Sequence, residues 1–111
     1  MEDELKATRQ RGGNRHPVSV RGFILDHLAA TGEDYIANMH RAYKAELDRL
    51  AIENGRRYAY HKPRYHSFEM AVQILARAGL IEFSGREEES DSSQFTGWEF
   101  KPLRRYYRLS Q

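Results

Sequence analysis

Basic and aromatic side chains are concentrated in residues 56–66, which read Arg-Arg-Tyr-Ala-Tyr-His-Lys-Pro-Arg-Tyr-His and which we call the basic segment. It contains no acidic residue. Basic side chains that neutralise phosphates supply most of the non-specific affinity of DNA-binding proteins. We therefore predict phosphate contacts here, and the alternative is a solvent-exposed loop without a partner, although such loops usually mix both signs of charge. The four cationic residues of the segment are Arg56, Arg57, Lys62 and Arg64.

The helix predicted after this segment offers groups that could read bases. Ser67, preceded by His66, is predicted to cap the helix by accepting hydrogen bonds from its free N–H groups, which also suit an anion. Steps of about 100° per residue predict an exposed stripe opposite the apolar face. Gln pairs with adenine, Arg with guanine, and Glu accepts from cytosine, so we expect base contacts, the alternative being a solvated stripe with weak internal pairing. The stripe consists of Glu69, Gln73, Ala76 and Arg77.

The C-terminal part of the chain carries charges of both signs. The cationic residues predicted to extend the basic surface, of which alternation along a strand lets only some face DNA, are Lys101, Arg104, Arg105 and Arg108. A phosphate backbone would repel the acidic stretch before them, so we expect that stretch to point away from DNA or to meet another protein. Its acidic residues are Glu87, Glu88, Glu89 and Asp91.

Enzymatic chemistry has little support in the sequence. There is no cysteine, Gly-rich phosphate loop, Ser-centred elbow or close pair of carboxylates at catalytic spacing. His61 and His66 flank cationic residues, which disfavours a metal ion. His27 and His40 lie on or beside apolar helix faces and are predicted to be structural. We therefore expect neither an enzyme nor a bound cofactor, metal or small-molecule substrate.

Apolar spacings of three and four residues predict three helices to hold these side chains. The first runs from Val18 to about Ala30, with Pro17 in its first turn and Gly32 after its end. The second starts at the signal Gly32-Glu33-Asp34 and ends near Asn54-Gly55. Its predicted buried residues are Ile36, Met39, Tyr43, Leu47 and Leu50.

The third helix runs from Ser67 to Gly79 and buries Phe68, Ala71, Val72 and Leu75. Two strands are predicted after it, one from Leu80 that stops at Gly85 and one over residues 105–109. A short strand at residues 58–60 is a further alternative. Between the two strands, Phe95, Trp98 and Phe100 alternate with polar residues.

One stretch of this pattern resembles a known family. Tyr65-His66-Ser67-Phe68, continued by Leu75-Ala76-Arg77-Ala78-Gly79-Leu80-Ile81, is similar to the recognition helix and first wing strand of winged helix-turn-helix proteins. The resemblance implies an α+β, mainly α, fold of three helices followed by a β-hairpin wing. It also implies double-stranded DNA as partner, with the third helix in the major groove.

The chain's length and charge agree with one DNA-binding domain. Its 111 residues allow one core, which we assign to residues 17–111 after a flexible basic arm at residues 1–16. The net charge of +2 conceals a block of +4 over residues 55–66 and one of −4 over residues 87–93. No apolar run is long enough for a membrane span, and we expect a cytoplasmic protein.

Binding is thus the predicted function, by a small transcriptional regulator or a DNA-binding protein of a mobile element or virus. A homodimer is the expected assembly, because such regulators commonly pair on two half-sites. Two alternatives stay open. One is a winged-helix adaptor that docks a protein through the acidic stretch and Phe95, Trp98 and Phe100, and the other is a replication or packaging factor that binds DNA without sequence preference.

Overall fold

A computed structural model describes residues 17–89 and 103–111 of the chain. They form three α-helices and one three-stranded antiparallel sheet, which confirms the α+β class. The third strand along the chain is central, because the strand order is β1-β3-β2. The elements are α1 (Val20–Thr31), β1 (Glu33–Tyr35), α2 (Ile36–Glu53), α3 (Tyr65–Arg77), β2 (Ile81–Glu89) and β3 (Leu103–Leu109).

Helix α1 begins two residues later than the predicted Val18. The hydroxyl oxygen of Ser19 accepts a hydrogen bond of 3.0 Å from the N–H of Gly22, so Ser19 caps the helix and Pro17 lies before it. The Ser19 hydroxyl satisfies one of the free N–H groups at the start of the helix, whereas Pro17 has no side-chain atom that could accept this hydrogen bond. The predicted end is confirmed, since Gly32 follows α1 with φ of 89°.

Strand β1 occupies the place where a helix start was predicted. Glu33 pairs with Arg108 and Tyr35 with Tyr106 of β3, so α2 starts only at Ile36. The prediction was wrong because Gly32-Glu33-Asp34 looks locally like a helix cap, whereas its extended backbone depends on a strand far along the chain.

Asp34 joins α1, β1 and α2 through its buried carboxylate. It accepts hydrogen bonds from His27 Nε2 and Asn38 Nδ2, each at 2.7 Å, and from the N–H of Tyr35 at 2.8 Å. A buried carboxylate is tolerated only when its oxygens are satisfied in this way. His27 therefore has a structural partner here.

The core lies where the three helices meet one face of the sheet. The hydroxyl of Tyr43 also donates a hydrogen bond of 2.7 Å to the carbonyl of Val18, which fixes the entry into α1. Fully burying one Val, Leu, Ile, Phe or Met side chain stabilises a fold by about 1.5–3 kcal/mol. The core confirms the predicted apolar faces of the helices with Ile24, Leu28, Met39, Tyr43, Leu47, Phe68, Val72 and Leu75, to which Ile81 and Tyr107 of the sheet are added.

Helix α3 begins at Tyr65, so Ser67 lies inside its first turn and the predicted Ser67 cap is wrong. Arg64 is the N-cap, in an extended conformation and without a side-chain hydrogen bond to the helix. The ring of Tyr65 meets that of His40 at 5.6 Å between centroids, a tertiary contact that favours the earlier start. The predicted end is confirmed, because Gly79 has φ of 81°.

Strand β2 does not stop at Gly85. Gly85 has φ of 95° and lies within a register shift between Phe83 and Glu87, after which pairing with β3 resumes up to Glu89. The glycine therefore makes a bulge rather than a strand end. No strand forms at residues 58–60, which have irregular structure. Among the described residues, no helix combines the length and apolar character needed to cross a membrane.

Candidate nucleic-acid interface

The basic segment is attached to α2 by two side chains. His40 Nε2 donates a hydrogen bond of 2.8 Å to the carbonyl of Pro63, and Lys62 Nζ lies 2.7 Å from Asp48 Oδ1. The first contact fixes the backbone directly before α3. The second places the carboxylate of Asp48 beside Lys62, so this cation has an ion-pair partner in the described part of the chain.

Aromatic rings order the first arginines of the segment. The guanidinium carbon of Arg56 lies 3.8 Å from the ring centroid of Tyr60, and that of Arg57 lies 5.8 Å from the ring centroid of Tyr58. The Asn54 amide donates a hydrogen bond of 3.1 Å to the hydroxyl oxygen of Tyr60. Hydrogen bonds from Asn54 and then Arg56 lower the pKa of Tyr60. These contacts hold the guanidinium groups without neutralising them.

Three arginines of the segment keep an unpaired charge. Within residues 17–89 and 103–111, Arg56, Arg57 and Arg64 form no ion pair. Arg64 directly precedes α3, whose first N–H groups have no side-chain cap. Uncapped N–H groups and the helix dipole both favour an anion. The Arg64 side chain and the backbone therefore both contribute a positive potential at this end of α3.

The exposed face of α3 differs from the predicted stripe. Glu69, Gln73 and Ala76 are only half-exposed, and Ala76 packs against the core. The assignment of Ala76 to the side opposite the core was therefore wrong, because Phe68, Val72 and Leu75 direct the helix so that Ala76 lies at the flank of the core. Glu69 does not pair with Gln73 or Arg77, and its Oε1 lies 3.9 Å from Nδ1 of His66.

The residues that do occupy the exposed face are partly apolar. We define this face by His66, Met70, Gln73, Ile74 and Arg77, of which Gln73 is half-exposed and the others are exposed. Met70 is 40% exposed and Ile74 is 37% exposed. The sequence analysis did not assign either residue to the exposed face, although their spacing from the buried residues of α3 predicts an exposed position. Ser67 is exposed in the first turn beside this face.

The β2–β3 ribbon pairs most of its charges internally. Arg105 lies 3.2 Å from Glu87, and Arg104 lies 3.3 Å from Glu88, as the strand register requires. Neither arginine is therefore a free cation of the kind that was expected to extend the basic surface. Because Glu87 and Glu88 are paired with these arginines, they repel a phosphate backbone less than unpaired carboxylates would. Lys101, Asp91, Phe95, Trp98, Phe100 and residues 1–16 lie outside the described residues.

A second layer of contacts lies on the outer face of the sheet. Glu88 Oε1 accepts a hydrogen bond of 2.6 Å from the Tyr106 hydroxyl, which holds the pKa of Glu88 below its ordinary value. The Arg86 guanidinium carbon lies 4.1 Å from the Tyr106 ring centroid and its Nη1 lies 2.8 Å from Glu33. Arg86 thus spans the central strand from β2 to β1.

The charged groups that the basic segment exposes are cationic. Among the described residues, no group of three or more His, Cys, Asp or Glu side chains is placed to hold a metal ion. No family model, curated protein or solved structure matches this chain.

Proposed function

We propose that this chain is a winged helix-turn-helix protein that binds double-stranded DNA, with α3 in the major groove and the basic segment on the phosphate backbone. One observation carries the proposal. Arg56, Arg57 and Arg64 have no ion-pair partner among the described residues, and Arg64 directly precedes the uncapped start of α3. Guanidinium groups and the free N–H groups at helix starts both donate hydrogen bonds to phosphate in protein–DNA complexes.

The order of elements supports this proposal. The family resemblance implies three helices followed by an antiparallel pair of strands, and α3 is indeed followed by the antiparallel β2–β3 pair, whereas β1 lies between α1 and α2 and departs from that order. Helix α3 presents one face away from the core. A helix with a free face and a cationic start is what major-groove docking requires.

The β2–β3 ribbon has a smaller role in the proposal than the sequence predicted. Its cross-strand pairs of Glu87 with Arg105 and Glu88 with Arg104 leave little net charge on either side. Most of the affinity is therefore assigned to the basic segment and to α3. Transcriptional regulation, a homodimer and a cytoplasmic location stay predictions that accompany the proposal.

The adaptor alternative has less support. It depended on a free acidic stretch, but Glu87 and Glu88 are paired with arginines. The aromatic residues it invoked, Phe95, Trp98 and Phe100, lie outside the described residues. No described contact favours that function over DNA binding.

Titration of the full chain against duplex DNA over a range of salt tests the proposal. Affinity should fall steeply as salt rises, and Arg57→Ala with Arg64→Ala should weaken binding to all sequences and reduce the salt slope by about 2. The matched control is Arg21→Ala with Arg41→Ala, which removes the same charge from α1 and α2. Absence of binding at low salt would overturn the proposal, as would equal losses in both variants.

Comparison of random and selected duplexes separates the regulator from a factor without sequence preference. A regulator should bind selected duplexes more tightly by a factor of about 1,000 or more. Equal affinity for both pools would favour the replication or packaging factor.

A further inference from the structure

Two apolar side chains lie side by side in the middle of the exposed face of α3. Met70 and Ile74 are one helical turn apart, and they remain 40% and 37% exposed, whereas the apolar residues on the opposite side of α3 are buried. Neither belongs to the core. Apolar side chains grouped on an otherwise polar surface mark a contact site more often than isolated ones do.

The neighbours of this pair favour nucleic acid as its partner. Arg77 lies on the same face toward the end of α3, and Arg64 lies at the start of the helix. Neither forms an ion pair within the described part of the chain. Cations at both ends of an apolar pair fit a partner that is anionic at its edges and carries an apolar group between them, as the DNA major groove does where it contains a pyrimidine 5-methyl group.

The major groove has one kind of apolar group to offer. Base edges there present hydrogen-bond donors and acceptors, and in addition the 5-methyl group of thymine. The same methyl group occurs on 5-methylcytosine. Ile74 has no polar side-chain atom and Met70 has only a weakly accepting sulfur, so neither side chain can form a strong hydrogen bond to a base edge.

We propose that Met70 and Ile74 recognise pyrimidine 5-methyl groups in the major groove. This inference rests on the proposed DNA-binding function. Gln73 lies between them in sequence and can hydrogen-bond to adenine. One A·T pair therefore presents both an adenine edge for Gln73 and a thymine methyl group for Met70 or Ile74. The two residues thus determine specificity, while the basic segment supplies general affinity.

The test uses a duplex that the full chain enriches from a random pool. It is synthesised with thymine and again with deoxyuridine, which removes only the methyl groups. Wild-type protein should bind the uridine form about threefold to fivefold more weakly for each contacted methyl group, the value expected for burying one such group. Met70→Ala with Ile74→Ala should bind both forms equally.

Two further variants control for general effects. Ile52→Ala removes an apolar side chain that is 82% exposed on α2, and it should keep the full difference between the two duplexes. Met70→Leu with Ile74→Leu keeps apolar contacts and should retain most of the difference. A duplex with 5-methylcytosine in place of cytosine identifies the source, since tighter binding there assigns a contact to 5-methylcytosine.

The outcomes separate this inference from the function on which it rests. If wild-type protein binds duplex DNA but does not distinguish any methylated form from its unmethylated form, the methyl inference is overturned and DNA binding stands. If Met70→Ala with Ile74→Ala leaves affinity for every duplex unchanged, the pair does not contact DNA and the inference is overturned. If no duplex binds at low salt, both proposals are overturned.

Discussion

His40 Nε2 on α2 donates a hydrogen bond of 2.8 Å to the main-chain carbonyl of Pro63. Because a carbonyl only accepts, the Nε2 atom must carry the proton. The His40 ring also meets those of Tyr65 and Phe68, with centroids 5.6 Å and 5.3 Å away. One buried side chain therefore fixes both the end of the basic segment and the start of α3 relative to α2.

Replacement of His40 should loosen that junction. His40→Leu keeps an apolar side chain but leaves the Pro63 carbonyl without its donor, so we expect a loss of about 1–3 kcal/mol in the free energy of unfolding, measured by chemical denaturation. The first-turn amides of α3 should exchange hydrogen faster. His66→Leu is the control, since its side chain is 81% exposed, and an equal loss there would contradict the assigned role.

Truncation on the two sides of α3 should have unequal effects on stability. Leu75 is buried, and Leu75→Ala should lower the free energy of unfolding by about 2–5 kcal/mol through lost contacts and a residual cavity. Ile74→Ala, one residue away on the exposed face, should cost much less. Similar losses in the two variants would mean that the helix is rotated from the orientation described above.

Acid should weaken the sheet partly through Glu88. The Tyr106 hydroxyl, followed by Arg86, lowers the pKa of Glu88 below its ordinary value of 4.5. Glu88 therefore stabilises the fold at pH values above 4.5, and this contribution is lost as the pH falls through the lowered pKa. Melting temperatures measured from neutral to acid pH should fall more in the wild type than in Glu88→Gln. Glu89→Gln, at a position without an ion pair among the described residues, should follow the wild-type curve.

Removal of a whole ion pair from the β2–β3 ribbon should leave DNA binding nearly unchanged. Glu87→Gln with Arg105→Gln preserves the net charge and removes a pair whose atoms lie 3.2 Å apart. Since Arg105 is not a free cation, affinity and salt slope should stay within about twofold of wild type. The same measurement on Arg57→Gln with Arg64→Gln should show a large loss. A comparable loss in the ribbon variant would show that Arg105 contacts phosphate despite Glu87.

Much of the helical framework was determined by local sequence. Apolar residues at spacings of three and four predicted the buried faces that Ile24, Met39 and Val72 represent. Gly32 and Gly79 predicted the helix ends, where φ is positive. These signals act between residues within a turn or two of each other, so they can be recognised without the rest of the fold.

Tertiary structure decided the features on which the candidate site depends. The pairing of Glu33 with Arg108, of Glu87 with Arg105 and of His40 with Pro63 joins residues distant in sequence, and no local pattern indicates such partners. The rotation of α3 that exposes Met70 and Ile74 is likewise set by what the opposite face packs against. Local spacing therefore determined which helices form, whereas only long-range packing decided which charges remain unpaired and which side chains face outward.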